Sequence, residues 1–105
     1  MLLNRYLQLV NNHYIDKRTV KEYADLLSVT ANHLSQSIKE VSGKNALSYI
    51  ADRLLTEAKS LLLYTHVDIA EIAFQLGFSD PANFGSFFKK HVGMSPLAFR
   101  KGKEK

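Results

Sequence analysis

Cysteine is absent from this 105-residue sequence, which excludes disulfide bonds, thiol catalysis and cysteine-ligated zinc sites. Long apolar runs are absent as well: the longest, such as residues 61–63, are far too short to cross a bilayer. The amino-terminal residues include Arg5 and several polar side chains, so they lack the apolar segment of a signal peptide. These absences predict a cytoplasmic protein with no membrane partner.

Segments with the two-residue apolar alternation of β-strands are also missing. The four histidines show no metal-ligand spacing, so no metal site is expected. The sequence contains no nucleophile elbow, glycine-rich phosphate loop or paired carboxylates, so neither an enzyme nor a cofactor is expected. An apolar fraction of 46% still suffices for a buried core, which leaves an all-α binding or interaction protein.

Positive charge is concentrated at the carboxyl end of the chain. Residues 1–83 hold 8 Lys and Arg side chains against 9 Asp and Glu, whereas residues 84–105 hold 6 against 1. This asymmetry favours a polyanionic partner near the carboxyl end. A lysine-rich tail that is merely solvated would give the same asymmetry.

Capping residues and apolar periodicity predict seven helices. We expect them at residues 2–13, 20–27, 31–42, 46–63, 69–76, 81–92 and from 96 onward. Thr19, Thr30, Asn45 and Asp80 are placed to cap helices, and Asp68 is expected to open a capping box with Glu71. The inward-facing residues expected from three of these helices are Leu34, Ile38 and Val41, then Leu47, Ile50, Ala51, Leu54, Ala58, Leu61 and Leu62, then Phe84, Phe87 and Phe88. The spacing of the phenylalanines fits burial in a core much better than base stacking.

The chain repeats itself with a shift of 49 residues, which becomes 50 after the turn of the second repeat gains one residue. Each repeat is a capped helix, a tight turn, a second capped helix with an apolar face, a glycine and a further helix. Two helices joined by a three- or four-residue turn form the helix-turn-helix unit, whose second helix reads a DNA major groove. A general repeat of helical hairpins gives a similar pattern, so a helical protein-interaction module without DNA binding remains the alternative.

Two sets of residues carry a resemblance to a known family. In the second repeat they are Glu71-Ile72-Ala73, Gly77-Phe78-Ser79-Asp80-Pro81, Asn83-Phe84, Phe87-Phe88-Lys89-Lys90, Gly93, Ser95-Pro96 and Phe99-Arg100. In the first repeat they are Ala24, Leu27, Leu34-Ser35, Ile38-Lys39, Gly43-Lys44 and Tyr49-Ile50. Over nearly the whole chain these residues resemble the DNA-binding domain of AraC/XylS-type bacterial transcription regulators.

The resemblance implies one DNA-binding domain over residues 1–105, with helix-turn-helix subdomains at about 19–42 and 68–92 joined by a linker helix at about 46–63. It implies sequence-specific binding of double-stranded DNA, with the two recognition helices in successive major grooves. It also implies RNA polymerase as a partner, and a sensor or dimerisation domain that this chain does not contain. We therefore expect an excised carboxyl-terminal domain rather than a short stand-alone regulator.

Base reading is expected from the outward residues of the two second helices. By the resemblance, Asn32, Ser35 and Gln36 fall on base-facing positions, although the family often has arginine where this chain has Gln36. Asn83 and Ser86 lie on the outward face of the helix at 81–92. Asn and Gln amides can form paired hydrogen bonds with adenine, and serine tolerates several bases.

Phosphate binding is expected from five cations: Lys39, Lys44, Lys89, Lys90 and Arg100. The helix at 81–92 carries Gly85 and Ser86 on its outward side, and these residues offer little to a base edge. We therefore expect that helix to read few bases and mainly to hold phosphates, which position a protein without specifying sequence. A solvated polar surface would carry the same side chains.

Overall fold

A computed structural model describes residues 1–103, and within them the chain forms seven α-helices and no strand. The helices are α1 (Leu2–His13), α2 (Val20–Leu26), α3 (Ala31–Ser42), α4 (Ala46–Tyr64), α5 (Ile69–Gln75), α6 (Pro81–Val92) and α7 (Pro96–Lys103). The all-α fold predicted from the sequence is confirmed. None of the described helices combines the length and the apolar character needed to span a bilayer.

The chain divides into two compact units within α4. The first unit, Met1–Leu54, contains α1, α2, α3 and the first half of α4. The second unit begins at Leu55 and contains the second half of α4 followed by α5, α6 and α7. The helix-turn-helix pairs are therefore α2 with α3 in the first unit and α5 with α6 in the second.

In the first unit, α3 packs against α1 and α2. Leu34 and Ile38 of α3 are fully buried, as are Tyr6 of α1 and Tyr23 of α2. The Tyr6 ring meets the Tyr23 ring edge-on with 5.5 Å between centroids, and its hydroxyl donates to the carbonyl oxygen of Ala46 at 2.6 Å. Burial raises the pKa of Tyr6 far above its ordinary range, so the hydroxyl remains a donor. This hydrogen bond joins α1 to the start of α4.

In the second unit, a cluster of phenylalanines surrounds α6. Phe84 and Phe88 are fully buried, which confirms that they belong to the core. Phe78, from the turn before α6, packs against Phe84 and Phe87 with 5.4 Å between ring centroids in each pair. Phe99 of α7 meets Phe88 edge-on at 5.4 Å. Aromatic contacts therefore attach both the turn and the last helix to α6.

The predicted helix caps are confirmed at four of five positions. The backbone N–H of Glu22 donates to Thr19 Oγ1 at 3.2 Å and the N–H of Thr19 donates to Glu22 Oε1 at 3.1 Å, which completes the capping box. The side chains of Thr30 and Asp80 each accept a hydrogen bond from the backbone N–H of the residue three positions later, at 3.0 and 2.8 Å. The capping box expected at Asp68 is wrong, because its side chain accepts no hydrogen bond at the start of α5. Residue spacing permits such a box but does not fix the side-chain rotamer that closes it.

Two apolar residues that were expected to be buried are exposed instead. Val41 in the last turn of α3 is 58% exposed, and Leu47 in the first turn of α4 is 55% exposed. Periodicity gives the direction of a side chain along a helix but not how far the covering elements extend. The buried residues of α4 are Ala46, Ile50, Leu54, Leu55, Ala58 and Leu62, of which Ile50, Leu54, Ala58 and Leu62 were expected.

The same backbone turn follows the first helix of each pair. The N–H of Val29 donates to the carbonyl oxygen of Ala24 at 3.0 Å, and Phe78 donates to Ala73 in the same way at 3.0 Å. A bond of this span closes a helix end through a residue in the left-handed conformation. Ala24 and Ala73 are themselves buried, and their small side chains leave room for the second helix to pack closely.

The left-handed residue differs between the two turns. It is Ser28 in the first, with φ of 58°, and Gly77 in the second, with φ of 85°. A serine in this conformation loses about 1–2 kcal/mol to a steric clash that glycine avoids. The first turn is therefore strained at one residue and the second is not.

Ser28→Gly is expected to raise the free energy of unfolding by about 0.5–1 kcal/mol, because the relieved clash exceeds the extra flexibility of glycine in the unfolded chain. The urea midpoint at unchanged m-value measures this difference. Gly77→Ser is the reciprocal change and is expected to lower the midpoint. A lower midpoint for Ser28→Gly would contradict the prediction.

Candidate nucleic-acid interface

One side of α3 is polar and accessible. Asn32 and Gln36 are exposed, and Ser35 beside them is partly exposed. Their i, i+3, i+4 spacing places them on one face of the helix. Leu34 and Ile38 are fully buried on the opposite side, so the core determines which residues of α3 face outward.

Ser35 and Gln36 also line an open groove of about 500 Å³. The remaining lining residues are Lys39, Glu40 and Asn45. Asn45 additionally caps α4, since its Oδ1 accepts a backbone N–H from the first turn at 2.9 Å. Glu40 was not expected in this surface, although its position one turn after Gln36 is a signal that could have indicated it. Donors, acceptors and both signs of charge therefore meet in one groove beside the outer face of α3.

The two cations expected in the first unit have different surroundings. Lys39 is exposed, and its Nζ donates to the carbonyl oxygen of Gly43 at 3.0 Å. Lys44 Nζ donates to Asp52 Oδ2 at 2.6 Å and lies 4.4 Å from the centroid of the Tyr49 ring. The hydrogen bond to the Asp52 carboxylate raises the pKa of Lys44. Lys44 therefore stays charged, but a neighbouring acid offsets its charge.

The outer side of α6 offers fewer extended side chains than that of α3. Asn83 Nδ2 donates to Ser79 Oγ at 2.8 Å and to Asp80 Oδ2 at 3.3 Å. Both hydrogens of this nitrogen are then used within the turn, so a paired contact with adenine requires these bonds to open. Ser86 is exposed, and Gly85 has no side chain at all.

Lys89 and Lys90 are exposed in the last turn of α6. No ion pair joins either of them to an acidic side chain in the described part of the chain. Positive charge at this position also complements the helix dipole. They are therefore cations whose charge remains available at the surface of the second unit.

Arg100 has a structural role that its sequence pattern did not indicate. It is partly buried, and its guanidinium donates to the carbonyl oxygens of Leu62 at 3.0 Å, Leu61 at 3.3 Å and Thr65 at 3.4 Å. These oxygens lie at the carboxyl end of α4, where carbonyls lack partners within the helix. The phosphate-binding role expected of Arg100 stays a prediction, while Nε and Nη2 of its guanidinium are engaged within the fold.

Two helix pairs, each with a short turn and an exposed polar second helix, define a tandem helix-turn-helix protein. A family model described as a helix-turn-helix domain matches residues 23–102. The chain belongs to the AraC-type helix-turn-helix family, the DNA-binding domains of transcription regulators.

Curated relatives are similar to this chain in sequence. The HTH-type transcriptional regulator YisR of Bacillus subtilis is 35% identical over 97 residues, which cover 92% of this chain and 33% of YisR. The chain spans about a third of the length of the curated relatives it matches.

Solved structures share the fold. The C-terminal domain of AraT, a response regulator from Geobacillus stearothermophilus, has a TM-score of 0.88 and 30% identity, covering 96% of this chain and 84% of that domain. The DNA-binding domain of AdpA, a global transcriptional factor, was solved in complex with a target DNA. It has a TM-score of 0.83 and 20% identity, covering 95% of this chain and 90% of the AdpA chain.

Arg100→Ala is expected to lower the free energy of unfolding by about 1–3 kcal/mol, because the three carbonyl oxygens lose a charged donor. Urea unfolding measures this loss. Arg100→Lys keeps the charge but cannot reproduce the fork of donors, so an intermediate loss is expected. Wild-type stability combined with a large loss of DNA affinity would instead support the phosphate-binding role of Arg100.

Proposed function

We propose that this domain binds double-stranded DNA in a sequence-specific manner and that α3 is its main reading helix. The observation that carries the proposal is the outer face of α3, where Asn32, Ser35 and Gln36 lie together. Burial of Leu34 and Ile38 on the other side keeps that face outward. An α-helix fits the major groove, where amide side chains pair with adenine and serine accepts or donates to several bases.

In this proposal, α6 mainly holds the DNA backbone. Lys89 and Lys90 supply exposed positive charge, which binds phosphates whatever the sequence. Ser86 is the base-reading side chain that α6 keeps exposed, while Asn83 is engaged in its own turn. The second unit therefore contributes more to affinity than to specificity.

Two residues of the first unit are expected to bind phosphate: Lys39, whose charge is available, and Lys44, whose charge is partly neutralised. Lys39 lines the groove beside the outer face of α3. In the proposed complex it binds a phosphate next to the bases that α3 reads. Lys44 contributes less, because DNA must compete with Asp52 for its ammonium group. We count Lys39, Lys89 and Lys90 as the principal phosphate-binding residues.

The two recognition helices are proposed to enter successive major grooves, which lie about 34 Å apart along one face of DNA. The connecting helix α4 has 19 residues. At 1.5 Å per residue its length is about 29 Å, close to that spacing. The AdpA domain, which has the same fold, is bound to a target DNA in its structure, and this supports the proposal.

We further propose that the whole regulator carries a sensor or dimerisation domain, acts in the cytoplasm and contacts RNA polymerase. The support is the length of the relatives, of which this domain covers about a third. Regulation of transcription requires a signal input and an effect on RNA polymerase. In this proposal the sensor or dimerisation domain receives the signal, and contact with RNA polymerase produces the effect.

The logarithm of DNA affinity is expected to fall with the logarithm of salt concentration at a slope of about −2.7, because Lys39, Lys89 and Lys90 each displace condensed counterions. Fluorescence anisotropy with a labelled duplex at several salt concentrations measures the slope. Absence of duplex binding at low salt would contradict the proposal and favour a helical protein-interaction module.

Asp52→Asn tests the partial neutralisation of Lys44 in the same assay. Removing the carboxylate frees Lys44 for phosphate, so affinity is expected to rise and the slope to approach about −3.6. Asp16→Asn makes the same change in net charge at a residue paired with His13 rather than with a lysine. A rise in affinity of equal size in both variants would indicate a general charge effect and not the release of Lys44.

Gln36→Ala is expected to weaken binding to a duplex selected from a random pool by about 10-fold or more, since a paired base contact contributes about 1–3 kcal/mol. Binding to unselected duplex should change little. Lys90→Ala is expected to weaken both alike, because it removes a phosphate contact. Gln8→Ala on α1 provides a matched control. Equal losses on both duplexes for Gln36→Ala would refute its role as a base reader.

A further inference from the structure

Gly85 lies in the middle of α6, at the position that corresponds to Ser35 of α3 in the first repeat. Its backbone is helical, so no left-handed conformation requires a glycine there. Among the described residues, a Cβ placed on Gly85 would meet no atom within 4 Å apart from its chain neighbours and the backbone of its own helix. Glycine in a helix interior is less favourable than alanine. Neither the conformation nor the internal packing of the described residues therefore explains this residue.

The side chains next to Gly85 also extend only a short distance from the helix. The side-chain amide of Asn83 folds back onto Ser79 and Asp80, at 2.8 and 3.3 Å, and does not extend away from the helix. Ser86 has one of the shortest polar side chains. The first two turns of α6 thus carry shorter outward side chains than the corresponding turns of α3, which carry the amides of Asn32 and Gln36.

We propose that Gly85 is a point of close approach, at which the backbone of α6 lies directly against DNA. The DNA surface would occupy the space that a side chain takes in α3. This inference rests on the proposed DNA binding and adds to it a specific contact of the second unit. Glycine at such a site permits van der Waals contact between helix backbone and ligand that any Cβ would prevent.

Close approach also accounts for the positions of the cations on the same helix. Lys89 and Lys90 follow Gly85 by four and five residues, about one turn later. If the middle of α6 lies deep in the DNA groove, the end of the helix lies nearer to the phosphates that border the groove. The absence of a side chain at Gly85 would therefore strengthen the phosphate contacts of its neighbours.

The test compares Gly85→Ala and Gly85→Ser with a matched control, Gly102→Ala. Gly102 is also a helical glycine, in α7, and among the described residues a Cβ placed there meets no atom within 4 Å apart from its chain neighbours and its own helix backbone. Both alanine variants are expected to unfold at a urea midpoint at least as high as that of the wild type, because alanine favours helix.

DNA affinity is expected to separate the variants. Gly85→Ala should weaken binding to the selected duplex by about tenfold, because an added methyl overfills a tight contact. Gly85→Ser should weaken it further, whereas Gly102→Ala should stay within about twofold of the wild type. Unchanged or improved affinity for both Gly85 variants would overturn the inference.

The wild type and Gln36→Ala distinguish this inference from the proposed function. If the wild type binds no duplex, the proposed function fails and the inference fails with it. If the wild type binds and Gln36→Ala loses the selected duplex as expected, while both Gly85 variants bind normally, only the close approach is wrong. A loss at Gly85 accompanied by a lowered urea midpoint would indicate damage to the fold and would also count against the inference.

Discussion

Burial of two side chains one turn apart determines how each recognition helix is oriented, and every exposed residue of the interface depends on that orientation. Leu34 and Ile38 serve this purpose in α3, and Phe84 and Phe88 serve it in α6; all four are fully buried. Truncating a buried side chain of this size to alanine typically costs about 2–5 kcal/mol. Rotating either helix about its axis would expose such a pair, so the polar side cannot turn inward.

The two units use one framework for two different surfaces. Their turns share the same backbone hydrogen bond, and their second helices share the same capped start and the same glycine in left-handed conformation after the last turn. The outward side chains nevertheless differ. The amides of Asn32 and Gln36 on α3 have the shorter Ala82 and Ser86 at the corresponding positions of α6. A repeated core therefore supports two different outward surfaces, of which we propose that one reads bases and the other holds phosphates.

Electrostatics at the interface is weaker than a count of cations suggests. Lys44 is paired with Asp52 at 2.6 Å, and Arg100 donates to three carbonyl oxygens at the end of α4. Lys89 and Lys90 keep exposed charge. The carboxyl-terminal excess of positive charge thus comprises residues with separate tasks, some at the surface and one inside the second unit.

The sequence by itself determined the seven helices, the capped starts at Thr19, Thr30 and Asp80, the two repeats and the family. These features depend on contacts within about four residues, or on a pattern that recurs along the chain. The tertiary structure alone decided that Val41 and Leu47 are exposed and that Arg100 caps α4, whose carbonyls lie 35 to 39 residues earlier. It also decided that Asn83 bonds within its own turn, because several rotamers were open to it. Periodicity specifies the direction in which a side chain points. Whether that side chain is buried, and which group it bonds, depends on residues that only folding brings near.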